Sequence, residues 1–360
     1  MNVADASVVT SFEATGLDEG RWNTLAAIGS NSVFQTYQWH RSWWSTYGQA
    51  YEPLFVTVSN GGSTDGVAPL MAERTSTRGK VVRFIGDGRS DYCDLLAGNN
   101  GSVVTAMVRA LKDYGRWDIL DLGNIPSESG TVDMLKAACA SAGLRMMVHD
   151  HYVCPTLVIR GHQQAALKML NKPSLRRRQN YFERIGKLSF RDLTKRAEID
   201  VYLETFFNQH VARWTGTNNP SLFHDAANRS FYRDLASRLD GTQWLLFSVV
   251  DLDGVPIALH YGFDYRDTLT FYKPSFDPAF SWGSPGLVLV RHLIKRAIDE
   301  GRRELDFTIG DEEFKRRFTN TVRKTVNVQV YRDPARYMFE RSRRGVMAAV
   351  RRAAARVMPQ

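Results

Sequence analysis

The stretch from Asp267 to Phe318 constrains the fold more than any other part of the chain. It reads strand (DTLTFYKPSFDPAF), turn (SWGSPG), helix (LVLVRHLIKRAIDEG), strand (RRELDFTIG) and helix (DEEFKRRF) in succession. Leu287, Val290, Ile294 and Ile298 keep helical spacing, and Gly301 stops that helix. Ser284 is a good N-cap residue, and Pro285 suits the first helical position, where its missing N–H costs nothing. Gly283 and Gly286 let backbone approach a ligand closely. The free N–H groups of a helix start attract anions such as phosphate. The same residues also suit an ordinary strand-to-helix connection, so the turn points to a coenzyme site without fixing one.

The other elements follow a similar rhythm. Strands are expected at 53–59, 66–72, 81–86, 92–97, 117–122 and 144–149, with helices at 102–115 and 131–142. Beyond Pro155 come a short strand (TLVIR), helices at 163–171, 173–186, 196–213 and around 228–239, and strands at 188–193 and 243–250. From Val255 to Tyr265 apolar and small or polar residues alternate, which predicts a strand. Arg266-Asp267 turns it into a hairpin with 268–273. A strand over 322–331 closes the series. Trp39 and Trp43, four apart, share one face of an aromatic-rich helix, a pattern that more often packs a core than binds a cofactor. Mixed strands and helices in this order predict an α/β class fold with α+β mixed sheets. At 360 residues the chain is long for one core. We therefore expect a polar lead-in (1–30), two domains (31–154 and 155–331) and a basic amphipathic tail helix (332–360).

Composition narrows the class. Hydrophobic content of 43% and charged content of 24% are ordinary for a globular protein. No apolar run reaches the roughly 18 residues of a membrane span, and MNVADASVVTSFEATG lacks the basic start and apolar block of a signal peptide. Cys93, Cys139 and Cys154 are scattered, odd in number and without metal-ligand spacing, which suits buried thiols in a reducing cytosol. No metal is expected. The net charge of +9 is concentrated in the tail, where eight arginines face only Asp333 and Glu340. A basic amphipathic helix reads as a binder of an anionic membrane surface or an acidic partner, which would place the protein in the cytoplasm, peripheral at the inner membrane face.

Several motifs, taken in order, resemble one family. They are Phe34 to Gly48, Arg176 to Gly186, His210 with Arg213-Trp214, Tyr272, Phe276-Asp277-Pro278, Ser284-Pro285-Gly286, Asp306-Phe307, Gly310 and Phe314-Lys315. Together they resemble the GNAT-superfamily acetyltransferase-like proteins linked to cellulose and exopolysaccharide biosynthesis. The resemblance implies two tandem GNAT-like (acyl-CoA N-acyltransferase) units. It also implies acetyl-CoA or another acyl-CoA as donor, and a small molecule or polysaccharide precursor as acceptor. It places the coenzyme diphosphate at Gly283, Ser284, Gly286 and Leu287. Two departures stand out. The usual glycine-rich spacing is absent, and Pro285 removes one N–H. Where many family members carry a tyrosine that protonates the leaving thiolate, this chain has Phe314.

For proton handling the candidates are Asp306 at a strand end, His210 on an aromatic helix face, and Asp91 in the acidic turn DGRSDYCD. Each has a plain structural alternative: turn capping for Asp306, packing for His210, a solvated turn for Asp91. Tyr92, Arg178, Trp214, Tyr272 and Lys315 are the candidate substrate contacts, and His260 is expected near Tyr272. Arg176, Arg177, Arg178 and Arg184 form a basic helix face suited to phosphate. That face also fits a Fem-like transferase, a group with tandem GNAT-like units that draws on charged tRNA. A third reading is a non-catalytic binding or scaffold protein with a degenerate GNAT fold.

Overall fold

The computed structural model describes residues 5–29 and 32–357, with side chains described to Met347. The N-terminal half runs β1 (Asp5–Val9), α1 (Glu19–Ile28), α2 (Tyr37–Tyr47), β2 (Glu52–Asn60), β3 (Ser63–Thr75), β4 (Gly79–Phe84), α3 (Gly101–Tyr114), β5 (Ile119–Pro126) and α4 (Thr131–Ser141). Then come β6 (Arg145–Val158), α5 (Gln163–Leu170), α6 (Pro173–Ile185), β7 (Leu188–Leu193), α7 (Arg196–Trp214), α8 (Ala226–Arg238), β8 (Leu245–Leu252) and β9 (Val255–Tyr265). The chain ends with β10 (Thr268–Phe276), α9 (Pro285–Asp299), β11 (Glu304–Asp306), α10 (Glu313–Arg316), β12 (Thr321–Tyr331) and α11 (Pro334–Val357).

Among the described residues the twelve strands join one mixed sheet in the order β1-β2-β3-β4-β5-β12-β6-β11-β10-β9-β8-β7. The expected boundary at 154/155 falls inside β6, which pairs β12 along most of its length and β11 at its end. The expected strands at 144–149 and 156–160 (TLVIR) thus fall largely in one strand. Across its polar middle, His149 to Tyr152, the register with β12 shifts, and Tyr152 N–H donates instead to Thr325 Oγ1 at 3.2 Å. Residues 92–97 are not a strand, apart from a single bridge between Leu96 and Val67. Side chains satisfy that segment instead, as where Asp94 Oδ1 accepts from the Leu95 N–H at 2.8 Å.

Among the described pairings two are parallel, β4 with β5 and β10 with β11, and each is crossed by one helix, α3 or α9. The fold is therefore mixed α/β, and strand, helix, parallel strand occurs once in each half. The aromatic stripe of α2 packs the core, with Trp39 and Trp43 almost fully buried. Trp39 meets Phe231 of α8 (centroids 5.3 Å apart) and Phe263 of β9 (6.0 Å), so the stripe ties the two halves together. Each ring so buried contributes about 2 kcal/mol.

Candidate active site

Both parallel pairs are short, and each opens into a wedge. Pairing stops at Val82↔Leu120 in the N-terminal half and at Thr270↔Asp306 in the C-terminal half. The first wedge is filled by its own chain. Cys93 N–H donates to Asn124 O (3.0 Å), Asn124 Nδ2 donates to Ser90 O (2.9 Å), and Asn100 caps α3 through bonds from Ser102 and Val103 N–H (3.1 and 3.3 Å). The second wedge is open.

That opening depends on how the chain enters α9. Ser284 does not cap the helix as its residue type suggests. It takes a left-handed conformation (φ 59°, ψ 59°), and its side chain makes no cap bond. The capping falls one turn earlier, where Asp277 Oδ1 accepts from Ala279 N–H at 2.9 Å and starts a short 3-10 turn over Pro278–Gly283. Leu287 N–H is used on Ser284 O (3.0 Å), and Pro285 has none. Gly286 thus supplies the first-turn donor. Ser281, Ser284, Gly286 and Leu287 line a cavity of about 310 Å³, with Phe271, Phe276 and Phe314 as its apolar wall. A Cβ on Gly286 would meet only Phe276 Cδ1, at 3.7 Å. Gly283 differs. Its Cβ position lies 2.3 Å from the buried Phe182 ring, so its close approach serves packing and not this cavity.

A bulge in β10 shapes the next cavity. Register with β9 shifts between Thr270 and Lys273, leaving Phe271 and Tyr272 opposite Gly262. His260 fills the space a Gly262 side chain would need and accepts the Tyr272 N–H on Nε2 at 3.2 Å. Its Nδ1 therefore carries the proton and lies buried without a partner. Burial pushes His260 down to about 3, so it stays neutral and holds the bulge. Tyr272 Oη donates to Arg89 O (2.8 Å) and accepts from Tyr232 Oη (3.2 Å), which commits its hydroxyl to the core.

Beyond the bulge lies a cavity of about 410 Å³ that shares Arg213, Phe271, Pro274 and Phe314 with the first. Asp91, His210, Trp214, Tyr272, Lys273 and Lys315 line it too. Asp91 is buried, and that burial raises its pKa against the pull of Lys273 and a side-chain hydrogen bond to Thr308. His210 Nδ1 lies 2.7 Å from Ser221 Oγ. Burial first, then Arg213 and Lys273, push it down to about 3, so it is neutral. Lys315 donates to Ile309 O (2.7 Å) and pairs with Glu312 (3.1 Å), whereas Asp311 pairs with Arg316 and not with Lys315.

The three proton-handling candidates do not meet. Asp91 and His210 share a cavity, but Asp306 lies on another, of about 440 Å³, beside Tyr92, Thr270 and Arg323. There Tyr92 Oη donates to Asp306 Oδ1 (3.1 Å), and the same oxygen accepts from Thr308 N–H (2.8 Å). Burial pushes Asp306 up to about 6. Neighbours Asp91 and Tyr92 thus line different cavities. Arg178 lines none of these cavities; it donates to Trp282 O (3.2 Å) and steadies the turn before α9. Sequence reading missed Lys273 and Thr308. Neither carries a local signal, because the bulge sets one and the left-handed turn after β11 (Thr308 φ 57°) sets the other.

Residues 171–316 match the family model described as an acetyltransferase (GNAT) domain, so the C-terminal half carries a GNAT-type acetyltransferase domain. Among solved structures, FemX superposes with a TM-score of 0.64 at 10% identity, over 88% of this chain and 96% of its own. A conserved protein of unknown function from Bacteroides thetaiotaomicron gives 0.58 at 12%, over 88% and 98%. L-PGS from Bacillus licheniformis gives 0.50 at 13%, over 94% and 97%. At these identities the likeness is one of fold. No protein with a curated description matches the chain in sequence.

Proposed function

We propose that this protein is an acyl-CoA-dependent acyltransferase that moves an acetyl or other acyl group to an amine or hydroxyl. One observation carries the reading: the C-terminal wedge is open at the start of α9 while its N-terminal counterpart is filled and capped. The residues fit the donor. Gly286 N–H and the Ser284 hydroxyl, at a helix start, suit a diphosphate, and Phe271, Phe276 and Phe314 suit an uncharged arm. Acyl-CoA supplies a thioester, whose acyl–sulfur bond breaks as an acyl–nitrogen or acyl–oxygen bond forms, the nucleophile losing a proton and the sulfur gaining one. Asp91 Oδ takes the nucleophile's proton, since its raised pKa makes it a stronger base than an exposed aspartate. Neutral His210, held by Ser221, orients the acceptor, and the shared aromatic wall excludes water. By the sequence's resemblance, the acceptor is a sugar or other envelope precursor. Incubation with acetyl-CoA and a panel of amines should release CoA in step with acetylated product. No release with any acceptor would overturn the reading.

A second reading has its own support. Arg176, Arg177 and Arg184 are exposed on α6 and suit a phosphate backbone, and the fold is shared with FemX. A Fem-like enzyme would instead bind charged tRNA, with affinity falling steeply as salt rises. The tail bears on where the protein acts under either reading. Met338, Phe339, Val346 and Met347 are at least half exposed on α11, beside Arg341 and Arg343. Anionic liposomes should pellet the full chain and not residues 1–332; equal pelleting would sink the membrane proposal.

A further inference from the structure

The cavity of Asp91 and His210 holds donors that make no direct ion pair with a protein carboxylate among the described residues, although Asp91 and Glu312 line the same cavity. Lys315 is committed to Glu312 and Ile309. Lys273 is less committed: among the described residues it enters no direct ion pair, its ammonium rests 4.0 Å from the Tyr272 ring centroid, and Asp91 and Glu312 act on it only through space, against the like charges of Lys315 and Arg89. Arg213 donates to Pro274 O (3.3 Å) and lies over Trp214 and Phe276, again without a carboxylate. The Trp214 indole N–H is buried with no acceptor. These three residues line one cavity of about 410 Å³. Leaving a half-buried cation and a buried N–H unmatched is costly, and an anion of the ligand removes both costs.

We infer that the acceptor carries its own anion, a carboxylate or a phosphate, seated on Lys273 with Trp214 and Arg213 around it. The accepting amine or hydroxyl then faces Asp91. The assignment of the accepting group rests on the acyltransferase reading; that of the anion does not. A planar carboxylate and a tetrahedral phosphate share this chemistry, so the test separates them.

The full chain is assayed with acetyl-CoA against two matched pairs, glucosamine 6-phosphate with glucosamine, and phenylalanine with 2-phenylethylamine. The anionic member of one pair should be preferred about 10- to 100-fold in kcat/KM, and that pair identifies the anion. The preference should fall toward unity in K273Q and persist in K273R, which keeps the charge. Titration calorimetry with each anionic compound alone, without CoA, reads the same site independently of transfer. Equal use of both members in both pairs overturns the inference, as does a preference that survives in K273Q, or no binding and no transfer with any of the four. Anion binding lost in K273Q, with no CoA released from any acceptor, would sustain the inference and sink the acyltransferase reading. CoA release without anion preference would do the reverse.

Discussion

Replacing Gly286 by glutamate is expected to weaken acetyl-CoA binding about 100-fold while the protein stays folded. The position tolerates a side chain, since a Cβ there meets only Phe276 Cδ1 at 3.7 Å. The new carboxylate would sit at the start of α9, where the helix favours an anion and the diphosphate needs the Gly286 N–H. Loss of a charge-assisted hydrogen bond together with like-charge repulsion amounts to about 3 kcal/mol, or two orders of magnitude in Kd. Gly283, three residues earlier, supplies the contrast. A methyl group there falls 2.3 Å from the Phe182 ring, so Gly283→Ala should lower stability by about 1–3 kcal/mol. Thermal melts and calorimetric titration of both variants separate the two roles. Unchanged affinity in Gly286→Glu would remove the site.

The second large effect concerns Asp91. Asp91→Asn should lower kcat by about 10²- to 10⁴-fold, the range of general-base removal. Burial raises the Asp91 pKa, so the carboxylate forms only above the ordinary aspartate range. Activity of the parent enzyme should therefore fall as pH drops through that raised value, and the variant should lose this acidic limb. Stability should move the other way. A carboxyl whose pKa is higher folded than unfolded favours the fold while protonated and costs free energy once ionised, as pH rises between the two values. Asp91→Asn should thus melt no lower than the parent at pH 8. A variant that melts normally and keeps both its rate and its acidic limb would show that Asp91 is not the base.

How far the sequence foretold this site depended on the range of the interactions involved. Local patterns sufficed where one segment decides its own state. The alternation over Val255 to Tyr265 marks β9, and Pro285 with Gly301 brackets α9. Long-range partners decided the rest. The β6 strand crosses the expected domain boundary because β12, almost two hundred residues later, pairs with it. Ser284 looked like a cap because its residue type caps helices, but Asp277 had already turned the chain. Asp91, His210, Trp214, Tyr272 and Lys315 do gather on one cavity, and Ser284, Gly286 and Leu287 on the adjoining one. Asp306 and Tyr92 fall on a different cavity, where they hold each other: Tyr92 Oη donates to Asp306 Oδ1 at 3.1 Å, a contact between residues more than two hundred positions apart that no local pattern shows. Lys273 was invisible beside Tyr272 without knowledge of the bulge, which is set by a glycine and a histidine on the neighbouring strand.

The most direct measurement is a structure of the full chain soaked with CoA. On the acyltransferase reading the diphosphate lies within hydrogen-bond reach of the Gly286 N–H and Ser284, with the uncharged arm running between Phe271 and Phe314 toward Asp91. A diphosphate bound elsewhere, or none at saturating CoA while charged tRNA binds tightly, would contradict it.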